Sequence, residues 1–152
     1  MGPRKIPCPF IILCIKSLNK RKAHSIINMD VRRFALKIKL TSRIKRVSID
    51  AVQACGMFLR DGLRLRGQIV KGYCKVGQEV FVHYWVEDPD RVVYDISAEL
   101  AKLGTPELEN MEYELTTEKP EGEVKSDEHN DELFKLYLEE PKKFWQLVQR
   151  VS

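Results

Sequence analysis

Cysteine is scarce in this chain, and its spacing excludes the usual structural uses of that residue. The four cysteines are Cys8, Cys14, Cys55 and Cys74. They form no Cys-x-x-Cys pair and no cysteine–histidine cluster with the ligand spacing of a zinc site. Nothing in this pattern predicts a disulfide framework, so a cytoplasmic or other reducing compartment is favoured. We therefore expect neither a metal nor a cofactor.

Long apolar runs are absent as well. The run at residues 6–15 is shorter than the about 20 residues that a membrane-spanning helix needs. Lys16, Lys20 and Arg21 follow it where a secretory signal would carry small residues. We expect a soluble chain with no transmembrane segment. The sequence also has no internal repeat, no phosphate-binding glycine loop and no paired-carboxylate motif, so none of the functions that depend on those patterns is expected.

Acidic residues are nearly absent from the first part of the chain. Residues 1–46 hold 13 of the 26 lysines and arginines, with Asp30 as the single acid, whereas the rest holds 13 bases and 21 acids. Such a basic arm is typical of contact with a polyanion or an acidic protein; the alternative is a leader ahead of Met29. We divide the chain into a basic arm or leader (1–30), a core (31–115), an acidic, flexible linker (116–130) and a helical tail (131–152).

Hydrophobic periodicity predicts the first elements of the core. Alternating apolar and polar residues at 34–40 predict a strand. Residues 48–61 predict a helix that begins at Ser48 as its N-cap and stops at Gly62. One stripe of this helix is expected to face the core, and it consists of Ser48, Val52, Cys55 and Leu59.

Further strands and helices follow. Residues 68–74 predict a strand, with a turn at Gly77 after it, and residues 98–103 predict a short helix. Residues 131–151 predict a helical stretch that Pro141 interrupts, with Pro141 at the start of a second helix. The large apolar side chains of this tail either dock on the domain or bind a partner.

Two strands at residues 80–87 and 91–97 form the most informative pattern, because Asp88, Pro89 and Asp90 between them are turn-forming residues. The predicted antiparallel register pairs Glu87 with Arg91, Trp85 with Val93, and His83 with Asp95. The opposite face would be apolar, and it consists of Val82, Tyr84, Val86, Val92, Tyr94 and Ile96. That face fixes the register, since a slip by one residue would bury charges.

The pairing of His83 with Asp95 predicts a chemical role. Directly opposed residues have Cβ atoms about 4.5–5.5 Å apart, which is within side-chain reach. A carboxylate beside an imidazole fixes its tautomer and stabilises the imidazolium, and so prepares a base that can activate a nucleophile. The alternative for His83 is a solvated histidine on a polar strand face.

This order of elements resembles the core of the transglutaminase-like superfamily, the papain-related cysteine peptidases and acyl transferases, over residues 47–97. The matching stretches are Leu59-Arg60, Gly72-Tyr73, His83-Tyr84-Trp85-Val86-Glu87 and Tyr94-Asp95. The resemblance implies an α+β fold, in which a helix packs on an antiparallel sheet. The basic N-terminal arm and the helical C-terminal tail would be additions to that core.

The chain departs from the family at the nucleophile. Counting back from Leu59, the position of the family's cysteine falls on Ser48, and Asp50 matches an acid often found two residues later. A thiolate also favours a helix N-terminus. Cys55 is a buried hydrophobic residue if the helix begins at Ser48, and a candidate nucleophile if it begins near Ala54. Ser48 itself is either a natural change that abolishes thiol chemistry or an engineered replacement of cysteine.

The resemblance implies a thiol hydrolase or acyl transferase that acts on an amide, peptide or isopeptide bond of a protein or peptide substrate. His83 would be the base, Asp95 its orienting group, and Ser48 or Cys55 the nucleophile position. Trp85 would be either a wall of the substrate site or a core residue. With Ser48 in place the chain is a possible pseudoenzyme. The alternative function is a non-catalytic structural or interaction module that uses the basic arm and the apolar tail for partner contacts.

Overall fold

The computed structural model describes residues 28–152 as an α+β fold, and residues 1–27, with most of the predicted basic arm, lie outside the described part. The helices are α1 (Asn28–Lys45), α2 (Ala51–Asp61), α3 (Ile96–Gly104), α4 (Glu128–Glu139) and α5 (Pro141–Val151), with a 3-10 helix at Pro106–Asn110. The strands are β1 (Gln68–Val76), β2 (Glu79–Glu87), β3 (Val93–Tyr94) and β4 (Glu114–Thr116). Helices on an antiparallel sheet are the class that the sequence predicts.

The sheet has the order β3-β2-β1-β4, and all its pairs are antiparallel. The central β1–β2 hairpin runs in register from Gln68 opposite Glu87 to Val76 opposite Glu79. Its turn includes Gly77 at a φ of +61°, a conformation that glycine adopts without steric cost. The turn predicted at Gly77 is thus confirmed.

The strand predicted at residues 34–40 is wrong, because this segment is the middle of α1. The apolar residues of this stretch fit both the alternation of a strand and the spacing of one face of a helix. Val31, Ala35 and Ile38, which follow the helical spacing, are buried, whereas the intervening Leu36 and Leu40 are exposed. Docking of the helical face on α3 and α5 therefore prevails over the alternating pattern.

Helix α2 begins later than predicted, at Ala51 with Asp50 as its N-cap. The Asp50 N–H donates to the Gln53 side-chain oxygen at 2.9 Å, a contact typical of a capping box. Ser48 lies before the helix in the α1–α2 loop and is exposed, so its assignment as N-cap is wrong. The rest of the predicted stripe is correct, since Val52, Cys55 and Leu59 are buried.

The second predicted hairpin is present, but its register is wrong. Glu87 pairs with Val93 and not with Arg91, which is a shift of two residues. The cause is the Asp88 side chain, which accepts hydrogen bonds from the Asp90 and Val92 N–H groups and lengthens the turn. An even shift leaves each side chain on its predicted face. The strand also ends early, because α3 begins at Ile96.

The acidic segment and the tail pack against the body. Lys125, within the predicted linker, donates to the Val80 carbonyl and accepts from the Val82 N–H, both at 2.9 Å. Helix α4 begins at Glu128, three residues before the predicted start, and α5 begins at Pro141 as predicted. Leu133, Phe144 and Val148 are buried, so most of the large apolar side chains of the tail pack against the body of the domain.

Docking of α5 depends on a small residue in α2. A Cβ built at Gly56 would lie 2.8 Å from Val148 Cγ2 and 3.0 Å from Phe144 Cζ. The two helices therefore approach at a distance that only glycine allows without adjustment.

We expect Gly56→Val to destabilise the protein by about 1–3 kcal/mol, because the added methyl groups overpack this contact. Chemical denaturation monitored by circular dichroism measures the loss. Gly104→Val is the matched control, since a Cβ at Gly104 would meet only Lys39 Nζ at 4.0 Å. Equal losses in the two variants would contradict the role of close packing.

Two apolar clusters lie on opposite faces of the sheet. The larger joins helices α1 to α5 to Ile69, Tyr84 and Val86 of the sheet. The smaller contains Cys74, Trp85, Val93 and Leu115. Among residues 28–152, no helix is long and apolar enough to cross a bilayer.

Candidate functional site

His83 lies in the middle of β2, on the face of the sheet that also carries Trp85, because alternate residues of a strand share a face. The rings of Phe81 and Trp85 flank the imidazole, with centroids 5.9 and 6.2 Å from it. Gly72 is the residue opposite on β1. The histidine side chain is 12% exposed, so it is enclosed but reachable from solvent.

His83 and Asp95 form a direct hydrogen bond, as the sequence predicts, although Asp95 reaches it from the start of α3 and not from a strand. His83 Nε2 lies 2.9 Å from each Asp95 carboxylate oxygen. Asp95 is 5% exposed and also accepts from the Ala98 N–H at 3.0 Å as the helix N-cap. Since a carboxylate only accepts, a proton lies on Nε2, and in the neutral imidazole Nδ1 is then an acceptor.

Tyr113 is a third member of this cluster. Burial, and then the negative charge of Asp95, raise the pKa of the Tyr113 phenol, and the phenol also hydrogen-bonds Asp95. The hydroxyl remains protonated and donates to the carboxylate. Asp95 thus accepts from an imidazole, a backbone amide and a phenol, which is how a buried carboxylate is stabilised.

A cavity of about 130 Å³ opens beside His83, between the sheet and the segment from α3 to Tyr113. Its walls are largely apolar. The lining residues are Cys74, Val76, Phe81, His83, Ser97, Ala98, Ala101, Lys102, Leu108, Met111 and Tyr113. The Lys102 ammonium is held by Glu99 at 3.0 Å. An apolar cavity with a few polar groups at one end is the usual form of a small-ligand site.

Cys55 lies within α2, four residues after its start, and is fully buried in the cluster on the other face of the sheet. Burial raises the pKa of its thiol far above the ordinary value; the charge of Asp95 adds to the shift, and a hydrogen bond with Ser97 opposes it. Cys55 does not lie at the N-terminus of its own helix. In the described state Cys55 is a protonated, enclosed thiol.

Cys74 lines the cavity together with His83. It pairs with Phe81 across the hairpin, so it is a diagonal neighbour of His83 on the same face. Burial and the charge of Asp95 raise the pKa of Cys74 to about 12. Its alternation with Gly72 on β1 is the sequence signal that places it on this face, whereas Ser97 and Tyr113 carry no such signal.

The remaining candidates are placed elsewhere. Ser48 is exposed in the α1–α2 loop, and no described contact links it to His83. Trp85 is 1% exposed, lies over Gly72 and donates from Nε1 to Glu87 at 2.9 Å, so it packs in the core and does not line the cavity. The structure therefore unites His83 with Asp95, and separates Ser48 from them. Among residues 28–152, no group of three or more potential ligands could hold a metal ion.

Glu87 provides a test of this packing. Burial raises its pKa, which the Trp85 hydrogen bond only partly offsets. A carboxyl with a raised native pKa contributes its full stability below the ordinary pKa and loses it as pH rises through the native value. Glu87→Gln keeps an acceptor for Trp85 without the charge. We expect the variant to raise the melting temperature by a few degrees at neutral pH and much less at pH near 4. An equal gain at both pH values would contradict the burial of a charge.

Comparison with known proteins gave no match: no family model fits the chain, and neither curated proteins nor solved structures include one with significant similarity.

Proposed function

We propose that this chain is a non-catalytic binding module that keeps a transglutaminase-like core and holds a small apolar group in the cavity beside His83. The observation that carries the proposal is the His83–Asp95 pair, whose imidazole lines an apolar cavity. Both described thiols have raised pKa values, which disfavours the thiolate that catalysis requires.

The cavity defines the chemistry of the ligand. A volume of about 130 Å³ is close to that of cavities known to hold benzene, about 150 Å³. The ligand is therefore an aromatic ring or a branched aliphatic group. Since Nδ1 accepts a hydrogen bond, the ligand also carries a donor at one end. A small phenol meets both requirements, either as a free molecule or as a tyrosine side chain of a peptide.

Titration of the isotope-labelled full chain with phenol, monitored by NMR, tests this proposal. We expect saturable shifts at cavity residues and at the His83 ring nitrogens, and weaker binding of benzene, which has no donor. Ala101→Leu fills the mouth of the cavity and should reduce the phenol affinity about tenfold or more, whereas Ala101→Ser should not. The tripeptide Gly-Tyr-Gly distinguishes a side-chain ligand from a free one. No saturable shift, or equal affinity in the two Ala101 variants, would overturn the proposal.

The second candidate function is cysteine-dependent acyl transfer with Cys55 as nucleophile. It is favoured by the position of Asp95, which orients His83 and also lies near Cys55, although its charge raises the pKa of the thiol. Ser97 supports it too, because it hydrogen-bonds Cys55 and lines the cavity with His83.

The reaction would begin with transfer of the Cys55 proton to His83 Nδ1. The thiolate then adds to the carbonyl carbon of an amide, the C–N bond breaks, and the leaving amine takes the proton from the imidazolium. A thioester remains. Water or a second amine attacks it with the same base, releases an acid or a new amide, and restores the thiol. Such chemistry requires α2 and α3 to separate enough to expose Cys55, because the thiol is fully buried.

A further inference from the structure

The outer face of α1 carries a row of exposed apolar side chains that the core does not use. Leu36, Leu40 and Ile44 are 51, 57 and 71% exposed, and Val47 just beyond the helix is 37% exposed. Their spacing of four residues places the first three on one side of the helix. These four are the majority of the seven large apolar residues that are exposed in the described part of the chain. We call Leu36, Leu40 and Ile44 the outer row.

Basic side chains flank the outer row. Residues 31–49 contain seven lysines and arginines and no acid. Arg32 is held by Glu99 and Glu109, but the exposed bases form no salt bridge among the described residues. They are Arg33, Lys37, Arg43, Lys45 and Arg46. Residues 1–27, which precede the helix, add six bases and no acid.

We infer that α1 docks on an anionic lipid surface. A partner that binds this face must carry negative charge for the bases and provide an apolar environment for the outer row. The interface of an anionic bilayer provides both. Nucleic acid provides the negative charge but no apolar environment for the outer row. None of the exposed side chains of α1 is an aromatic ring that could stack on nucleobases. Since Val31, Ala35 and Ile38 hold the inner face of α1 in the core, the helix can lie on a membrane without unfolding the domain.

Co-sedimentation of the full chain with lipid vesicles tests this inference. We expect binding to phosphatidylcholine vesicles that contain phosphatidylserine, and little binding to pure phosphatidylcholine. The triple variant Leu36→Ser, Leu40→Ser, Ile44→Ser should lose about tenfold or more in affinity, since its apolar contact with the bilayer is removed. Leu138→Ser is the control, because Leu138 is 62% exposed but lies on α4, outside the outer row. Circular dichroism confirms that the variants fold.

Other outcomes would overturn the inference. Equal losses in the triple variant and in Leu138→Ser would show that general hydrophobicity is responsible. Absence of binding to phosphatidylserine vesicles would exclude the lipid surface. Binding to heparin or DNA that falls with salt and is unchanged in the triple variant, without vesicle binding, would assign the basic residues to a polyanion instead.

Discussion

Replacing Glu99 with alanine is expected to destabilise the protein by about 3–5 kcal/mol, the usual cost of leaving a buried charge without its partner. The Glu99 side chain is 2% exposed and accepts from Arg32 Nε at 2.8 Å and from Lys102 Nζ at 3.0 Å. Lys102 is itself 6% exposed. Removing the carboxylate leaves the Lys102 ammonium buried beside the cavity without this partner.

Glu109→Gln is the matched control for this experiment. Glu109 bonds the same Arg32 guanidinium but is 46% exposed, so its loss should cost much less than that of Glu99. Urea denaturation of both variants measures the difference. A second variant, Glu99→Ala with Lys102→Met, removes the unpaired charge as well and should recover part of the loss. If Glu99→Ala and Glu109→Gln cost the same, the triad of Arg32, Glu99 and Lys102 does not behave as a buried network.

The sequence predicts the hairpin elements and the His83–Asp95 contact because their signals are local. The alternation along β2 and the turn residues after it lie within about fifteen residues. The register is missed because it depends on one side chain, Asp88, that bonds two amides of the turn. The contact survives this error, because Asp95 caps α3 beside His83 even though it is no longer a directly opposed strand residue.

Predictions that depend on tertiary packing are less successful. Residues 34–40 fit a strand and a helix equally well in isolation, and only the docking of Val31, Ala35 and Ile38 distinguishes them. The cavity could not be predicted, because it is assembled from β1, β2, α3 and the segment up to Tyr113. Ser48 is placed wrongly because Asp50, two residues later, has the same capping chemistry and is the actual N-cap.

The second large effect that we expect is on the rate at which the thiols are chemically modified. Cys8→Ser and Cys14→Ser remove the two cysteines outside the described residues, so that Cys55 and Cys74 are the thiols that remain to be labelled. A hydrophilic thiol reagent near pH 7 should modify Cys55 on the order of a thousandfold more slowly in the native than in the unfolded protein. Cys74, whose pKa is raised but which lines the cavity, should also be slowed, though less than Cys55. Reaction of a core thiol waits for an opening that costs much of the free energy of unfolding. Mass spectrometry of the peptides measures each rate separately.

Adding Ser48→Cys to this background, with and without His83→Ala, distinguishes the binding module from the acyl transferase. Ser48 is exposed before the N-cap of α2. We therefore expect a cysteine there to react at the rate of an ordinary exposed thiol, unchanged by His83→Ala. Fast labelling of Cys55 that His83→Ala slows would instead show that α2 and α3 open in solution to bring the thiol to the imidazole, and acyl transfer would replace binding as the function. Fast, His83-dependent labelling at position 48 would place the nucleophile in the α1–α2 loop, which requires that loop to move onto the cavity face of the sheet. If all the native thiols are labelled slowly, no reactive thiol is available to act as the nucleophile of the His83–Asp95 pair. This is the result expected of a non-catalytic binding module.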